Sequence, residues 1–133
     1  MAITDQNSLP VAIHVSSASP GEVTLVEETL EKRFTTQTPN LLVGDKAYDS
    51  DPLDQLLKRK YGIQLIAPHR TGRVRPKTQD GRVLRRYKKR WRIERFNAWL
   101  QNFRRVAMRW EYKVENYLGF VQLACVLILL RVF

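Results

Sequence analysis

A chain of 133 residues with 44% hydrophobic content can bury one real core but not two, and its composition excludes a disordered tail. A formal charge of +10 and a pI near 10.2 point to a polyanionic partner, nucleic acid first, although ribosome-type and membrane-surface proteins share that balance. The single cysteine, Cys125, excludes an internal disulfide; it sits in an apolar run and reads as core in a reducing compartment.

The opening "MAITDQNSLP" turns polar too early for a secretory leader. "MAITD" and "LPVAIHVS" are β-rich runs flanking the turn formers Gln6-Asn7-Ser8, which predicts an antiparallel hairpin with His14 exposed. In "SPGEVTLVEETLEKRF", Ser19 as N-cap, Pro20 at the first helical position and Glu22 predict a capping box. The apolar face Val23, Val26, Leu30 and Phe34 follows at helical spacing. "PNLLVGD" reads as a buried strand ending on Asp45. Ser50 or Asp51 before Pro52 opens a helix that Gly62 closes, and "IQLIAP" is a second buried strand. This strand–helix–strand spacing predicts an α/β unit with a parallel pair.

Residues 69–83, "HRTGRVRPKTQDGRV", are aperiodic and basic and read as a mobile loop. A long helix is expected over 84–105, followed by a final helix from about Val114. Its apolar core, Val121 to Leu130, is too short to span a bilayer and reads as a buried helix. Charge divides sharply: residues 1–57 carry nine acids and three bases, whereas 58–133 carry twenty bases and four acids. The polyanion should therefore meet the second half.

Two acids stand out. Asp45 lies where a strand ends, the position at which open α/β sheets place ligands; the ordinary alternative is a turn cap. Glu94 is the one acid in "RYKKRWRIERFNAWLQNFRR". Ile93, Phe96, Leu100, Phe103 and Ala107 form an apolar stripe, with Tyr87, Arg90, Glu94, Asn97 and Gln101 on the adjacent face. The ordinary alternative for Glu94 is an i,i+4 ion pair with Arg90. Two such carboxylates suit Mg²⁺ or Mn²⁺, and paired ions of that kind promote phosphodiester chemistry. Trp99, on the polar side with Arg92 and Arg95, is the best aromatic for DNA contact, Trp110 reads as core or interface, and His69 is a weaker phosphate candidate.

These residues resemble the DDE transposases of insertion sequences. The pattern Tyr, two residues, Arg, three residues, Glu, six residues, Lys is matched by Tyr87, Arg90 and Glu94, with Gln101 in place of Lys. "GDKAYDSD" is similar to the family's second acidic block, with Asp49 and Asp51 in the turn and helix cap and Tyr48 as packing. The resemblance implies an α/β, RNase H-like mixed sheet with helices, one partial catalytic domain over 1–133, truncated at the N-terminus so that the central first strand and its Asp are missing. Asp5, beside the hairpin turn, reads as a loop residue. It implies DNA cutting and joining with Mg²⁺ (or Mn²⁺) held by Asp45 and Glu94. Tyr87, Arg90, Gln101, Arg70, Arg73, Arg75, Lys88, Lys89 and Trp99 would contact DNA. The partners implied are double-stranded DNA, both transposon ends and target, with an N-terminal half or complete transposase and a homodimer partner. The place implied is the bacterial cytoplasm, at the nucleoid. The chain alone is expected to be inactive; the alternative is a non-catalytic basic DNA-binding module.

Overall fold

The computed structural model describes residues 1–79 and 81–132; Asp80, inside the predicted basic loop, and Phe133 lie outside the described residues. The chain opens with β1 (Ala2–Thr4) and β2 (Pro10–Ile13), paired antiparallel. The Asp5 carboxylate accepts the Asn7 and Leu9 amides at 2.7 and 2.9 Å, which closes the turn, so Asp5 is a turn residue. Ser8 adopts φ of 68° there and is fully buried. Arg95, from a helix far along the chain, donates to the Ser8 hydroxyl and the Asn7 carbonyl.

Helix α1 (Glu22–Glu31) starts later than the capping box predicts. Gly21 takes the extended N-cap conformation with no side-chain cap, and Glu22 sits in the first turn, where an acid favours the helix dipole. Phe34 falls beyond the helix end and is exposed, although Val26 and Leu30 are buried as the pattern requires. His14 is a further correction. It is buried, with Lys32 donating to Nδ1 at 2.6 Å and Glu28 3.3 Å from Nε2, and burial followed by the Lys32 charge lowers its pKa.

The α/β unit forms as its residues dictate. Strand β3 (Leu41–Val43) pairs parallel with β4 (Gln64–Ile66), Leu42 opposite Leu65, but β3 is only half-buried and Val43 is exposed, against the expected buried strand. Between them α2 (Asp51–Leu56) is capped by the Ser50 hydroxyl and continues as a π-helical turn, Leu57–Tyr61. Gly62 ends it at φ of 68°, a conformation that costs a residue with a Cβ. Val26, Leu30, Leu53, Leu57, Ile63 and Leu65 make the first core.

The predicted continuous helix over 84–105 is instead segmented: α3 (Gly81–Leu84), a 3₁₀ segment Arg85–Arg90, α4 (Trp91–Gln101) and α5 (Arg104–Ala107). Like charges at i,i+4, such as Arg85 with Lys89 and Arg86 with Arg90, work against an α-helix there. At the other break Phe103 is extended and packs inward. Helix α6 (Val114–Leu130) joins Ile13 and Phe96 in a second core through Val121, Cys125 and Ile128. The expected buried helix is thus buried on one face only, because Leu123, Val126, Leu127 and Leu130 face solvent. No helix among the described residues is long and apolar enough to cross a membrane.

The fold is mixed α/β, but the four strands among the described residues form two separate two-stranded sheets rather than one mixed sheet. A cleft of about 650 Å³ lies between the hairpin and the Tyr48 turn, lined among others by Ala2, Leu25, Tyr48, Ile93 and Val121.

Candidate active site

Asp45 follows β3 and caps a 3₁₀ turn, Lys46–Tyr48: one carboxylate oxygen, Oδ1, accepts the Ala47 amide at 2.8 Å. The ordinary cap reading is therefore correct for one oxygen. The other, Oδ2, faces Arg90 Nη1 at 3.9 Å. The close approach of Tyr48 needs Gly44, since a Cβ there would lie 2.8 Å from the Tyr48 ring. Burial pushes the Tyr48 hydroxyl up to about 12, with Glu22 and Asp45 adding to the shift.

Glu94 lies on the first turn of α4, which Ile93, Phe96 and Leu100 dock onto the second core. Its Oε1 accepts from Arg90 Nη2 at 2.9 Å, the i,i+4 pair. Arg90 thus reaches both acids, Asp45 across the fold and Glu94 along the chain, while its guanidinium lies 5.5 Å from the Tyr87 ring centre. The Asp45 and Glu94 carboxylates are 42% and 60% exposed, so solvent and a ligand reach them. Both are oxygen donors suited to a hard divalent ion. Among the described residues no group of three His, Cys, Asp or Glu side chains is arranged to hold a metal ion.

The other candidates separate into two sets. Lys88 and Lys89 are exposed on the 3₁₀ segment with Arg85 and Arg86, and none of the four has an ion-pair partner among the described residues. Gln101 is exposed at the end of α4. The basic loop, expected to be mobile, is instead tied down. Arg73 pairs with Asp49 at 2.9 Å and Asp51 at 2.6 Å, and Arg75 pairs with Asp51 at 3.1 Å. Arg70 donates to the Lys46 and Ala47 carbonyls at 3.1 and 2.6 Å. His69 lies between Asp49, at Nδ1, and the Thr78 amide, which donates to Nε2; both ring nitrogens are occupied. Asp49 and Asp51 do lie in the turn and first helical residue, but sequence reasoning missed that they hold the loop.

The aromatic readings change too. Trp99 packs against the second core, and Arg95 lies 4.8 Å from the Trp91 ring centre and 5.1 Å from that of Trp99. Trp110, read as core or interface, is 64% exposed, so it is not core.

Comparison with known proteins decides the family: residues 1–129 match the model of the transposase DDE domain. The chain belongs to that family. Over 134 residues it is 29% identical to the "Putative transposase for insertion sequence element IS402" of Burkholderia cepacia, covering 95% of this chain and 59% of that protein. It therefore spans about three-fifths of that relative's length. Over 90 residues it is 34% identical to the "Putative transposase for insertion sequence element IS6501" of Brucella ovis, covering 68% of this chain and 67% of that one. No solved structure matches. In this DDE transposase chain, the Asp45 and Glu94 carboxylates both face the Arg90 guanidinium.

Proposed function

We propose that this chain supplies two of the acids with which a DDE transposase cuts and joins DNA at transposon ends. The observation that carries the reading is the convergence of Asp45 and Glu94, 49 positions apart in the sequence, on one guanidinium. Arg90 serves as their counter-ion, and the remaining valences of a bound ion suit waters and phosphate oxygens, as Mg²⁺ and Mn²⁺ prefer. When bound, such an ion lowers the pKa of water or a hydroxyl and stabilises the leaving oxygen. Asp45 and Glu94 hold it. Tyr87 and Arg90, at the rim, bind the transposon-end phosphates, with Gln101 as an uncharged hydrogen-bonding partner. Lys88 and Lys89 extend the phosphate track, whereas Arg70, Arg73 and Arg75 are engaged by the Lys46–Asp51 segment and Trp99 by the second core.

The fold is RNase H-like in this proposal, with a central strand seated between the two sheets and carrying the further acid. Two observations support it: the described strands form two separate two-stranded sheets, and no third acid joins the pair among the described residues. Buried strand edges without partners cost about 1–3 kcal/mol per amide, so an added strand would stabilise the whole.

The test is strand transfer with Mg²⁺ and matching transposon ends, using the 133-residue chain and a longer polypeptide that supplies the strand. The longer protein should act and the shorter should not; Asp45→Ala and Glu94→Ala should each abolish the activity while DNA binding persists. Transfer by the short chain would refute its dependence on added residues. Activity in the longer protein that survives both substitutions would instead favour a DNA-binding module whose acids are structural.

A further inference from the structure

We infer that Asp49 and Arg70 are positioning residues that hold Asp45 in place and tie it to the basic loop. The inference rests on the reading of Asp45 as a catalytic acid. Its basis is topological: β3 and β4 are parallel neighbours in register, Val43 beside Ile66, so the segments that leave their carboxyl ends emerge side by side. One carries Asp45 to Asp49, the other His69 to Arg73.

Asp49 is the keystone between them. Its side chain is only 6% exposed, and a buried carboxylate must be saturated with donors to persist. It is saturated: Oδ1 accepts from His69 Nδ1 and Arg73 Nη1, both at 2.9 Å, and Oδ2 accepts the Arg70 amide at 2.8 Å. With its backbone fixed, Arg70 turns its guanidinium onto the carbonyls of Lys46 and Ala47. The Ala47 amide is the one that holds Asp45 Oδ1. A three-residue 3₁₀ turn has few hydrogen bonds of its own, so these outside donors decide which way the Asp45 carboxylate points. A displacement of an ångström at a reacting group is costly to catalysis. Arg70 therefore acts through the turn, rather than as one more phosphate contact in a basic run.

The test is hydrogen exchange on the full chain, read beside Mn²⁺ titration followed by paramagnetic broadening at residues 45 and 94. Arg70→Ala and Asp49→Asn should each raise exchange at the Ala47 and Tyr48 amides by about tenfold or more, leaving α1 and α6 amides near native. They should also weaken Mn²⁺ binding several-fold, and Arg70→Lys, which keeps one donor, should recover part of both. Uniformly raised exchange would show a merely structural role, and native exchange at 46–48 in Arg70→Ala would overturn the inference. A native chain that shows no Mn²⁺ broadening at 45 and 94 would overturn the metal-site reading instead, and the exchange result would then judge the clamp alone.

Discussion

The basic segments 70–75, with three arginines, and 85–89, with two arginines and two lysines, are treated by the fold in opposite ways. Arg70, Arg73 and Arg75 rest on an acidic bed made by the first half of the chain, with Asp49 and Asp51 neutralising them and backbone carbonyls taking Arg70. Arg85, Arg86, Lys88 and Lys89 lie on a 3₁₀ segment with their charges presented to solvent. Counting cations along a sequence therefore overstates how many can meet phosphate. What matters is which of them already have a carboxylate.

The largest expected effect tests that division directly. Replacing Arg85, Arg86, Lys88 and Lys89 together with Ala should reduce duplex affinity by about 100-fold or more near physiological salt. It should also cut the slope of log affinity against log salt by about 3–4, as for the loss of four phosphate contacts. Fluorescence anisotropy over a salt series measures both. An equal loss from Arg73→Ala with Arg75→Ala would erase the distinction between the segments.

Gly44→Ala attacks the turn that the first segment clamps. The added methyl meets the Tyr48 ring at 2.8 Å, which should destabilise the chain by about 1–3 kcal/mol in urea unfolding. It should also loosen the Asp45 cap.

The acidic bed has its own signature in pH. Burial first, then Asp51 and Asp49, push the Asp54 carboxyl from 3.8 up to about 6. Between those values the folded chain holds a proton that the unfolded chain lacks, so this group makes stability fall as pH rises from 3.8 to about 6. Asp54→Asn should remove that slope and stabilise the chain by about 1–2 kcal/mol at neutral pH. Asp49 runs the other way. Burial raises its pKa, but the Arg70 amide, His69 and Arg73 outweigh burial and leave it below 3.8. Its contribution is complete above 3.8 and is lost as pH falls through the lower, folded value. Asp49→Asn should flatten the acid limb of a stability–pH curve.

The smallest effect is expected for DNA affinity in Arg73→Ala with Arg75→Ala. Binding should stay within about twofold of native, since those charges are already spoken for, while thermal stability falls. This pair of measurements is the sharpest counterpart to the fourfold variant.

What the sequence revealed and what it hid follow from the range of the forces involved. The hairpin, the Ser50 cap, the Gly62 stop and the parallel pair are products of neighbouring residues, and they form where local chemistry puts them. His14 is buried because Lys32 and Glu28 arrive from α1, and Arg95 lies between two tryptophans while reaching back to Ser8; no local pattern encodes either. The segmentation of 84–105 came from charge crowding that an apolar stripe does not register. Helix α6 is apolar nearly all round, so its periodicity could not show which face would be covered. Of the candidate site, spacing alone favoured a turn cap for Asp45 and an i,i+4 pair for Glu94, and both contacts are present. The motif joined them, and Arg90 provides the physical link. The loop's anchoring was hidden because its acids lie more than twenty positions upstream.

The outer face of α6 governs how the molecule behaves in bulk. Leu123, Val126, Leu127 and Leu130 are presented to water on a particle of charge +10, so mutual repulsion opposes adhesion of neighbouring molecules through that strip. High ionic strength, the usual means of stripping nucleic acid from a basic protein, screens the repulsion and strengthens apolar adhesion together. Purification is therefore best served by a moderate-salt wash with a nuclease, and light scattering should show particle size growing with added sulfate.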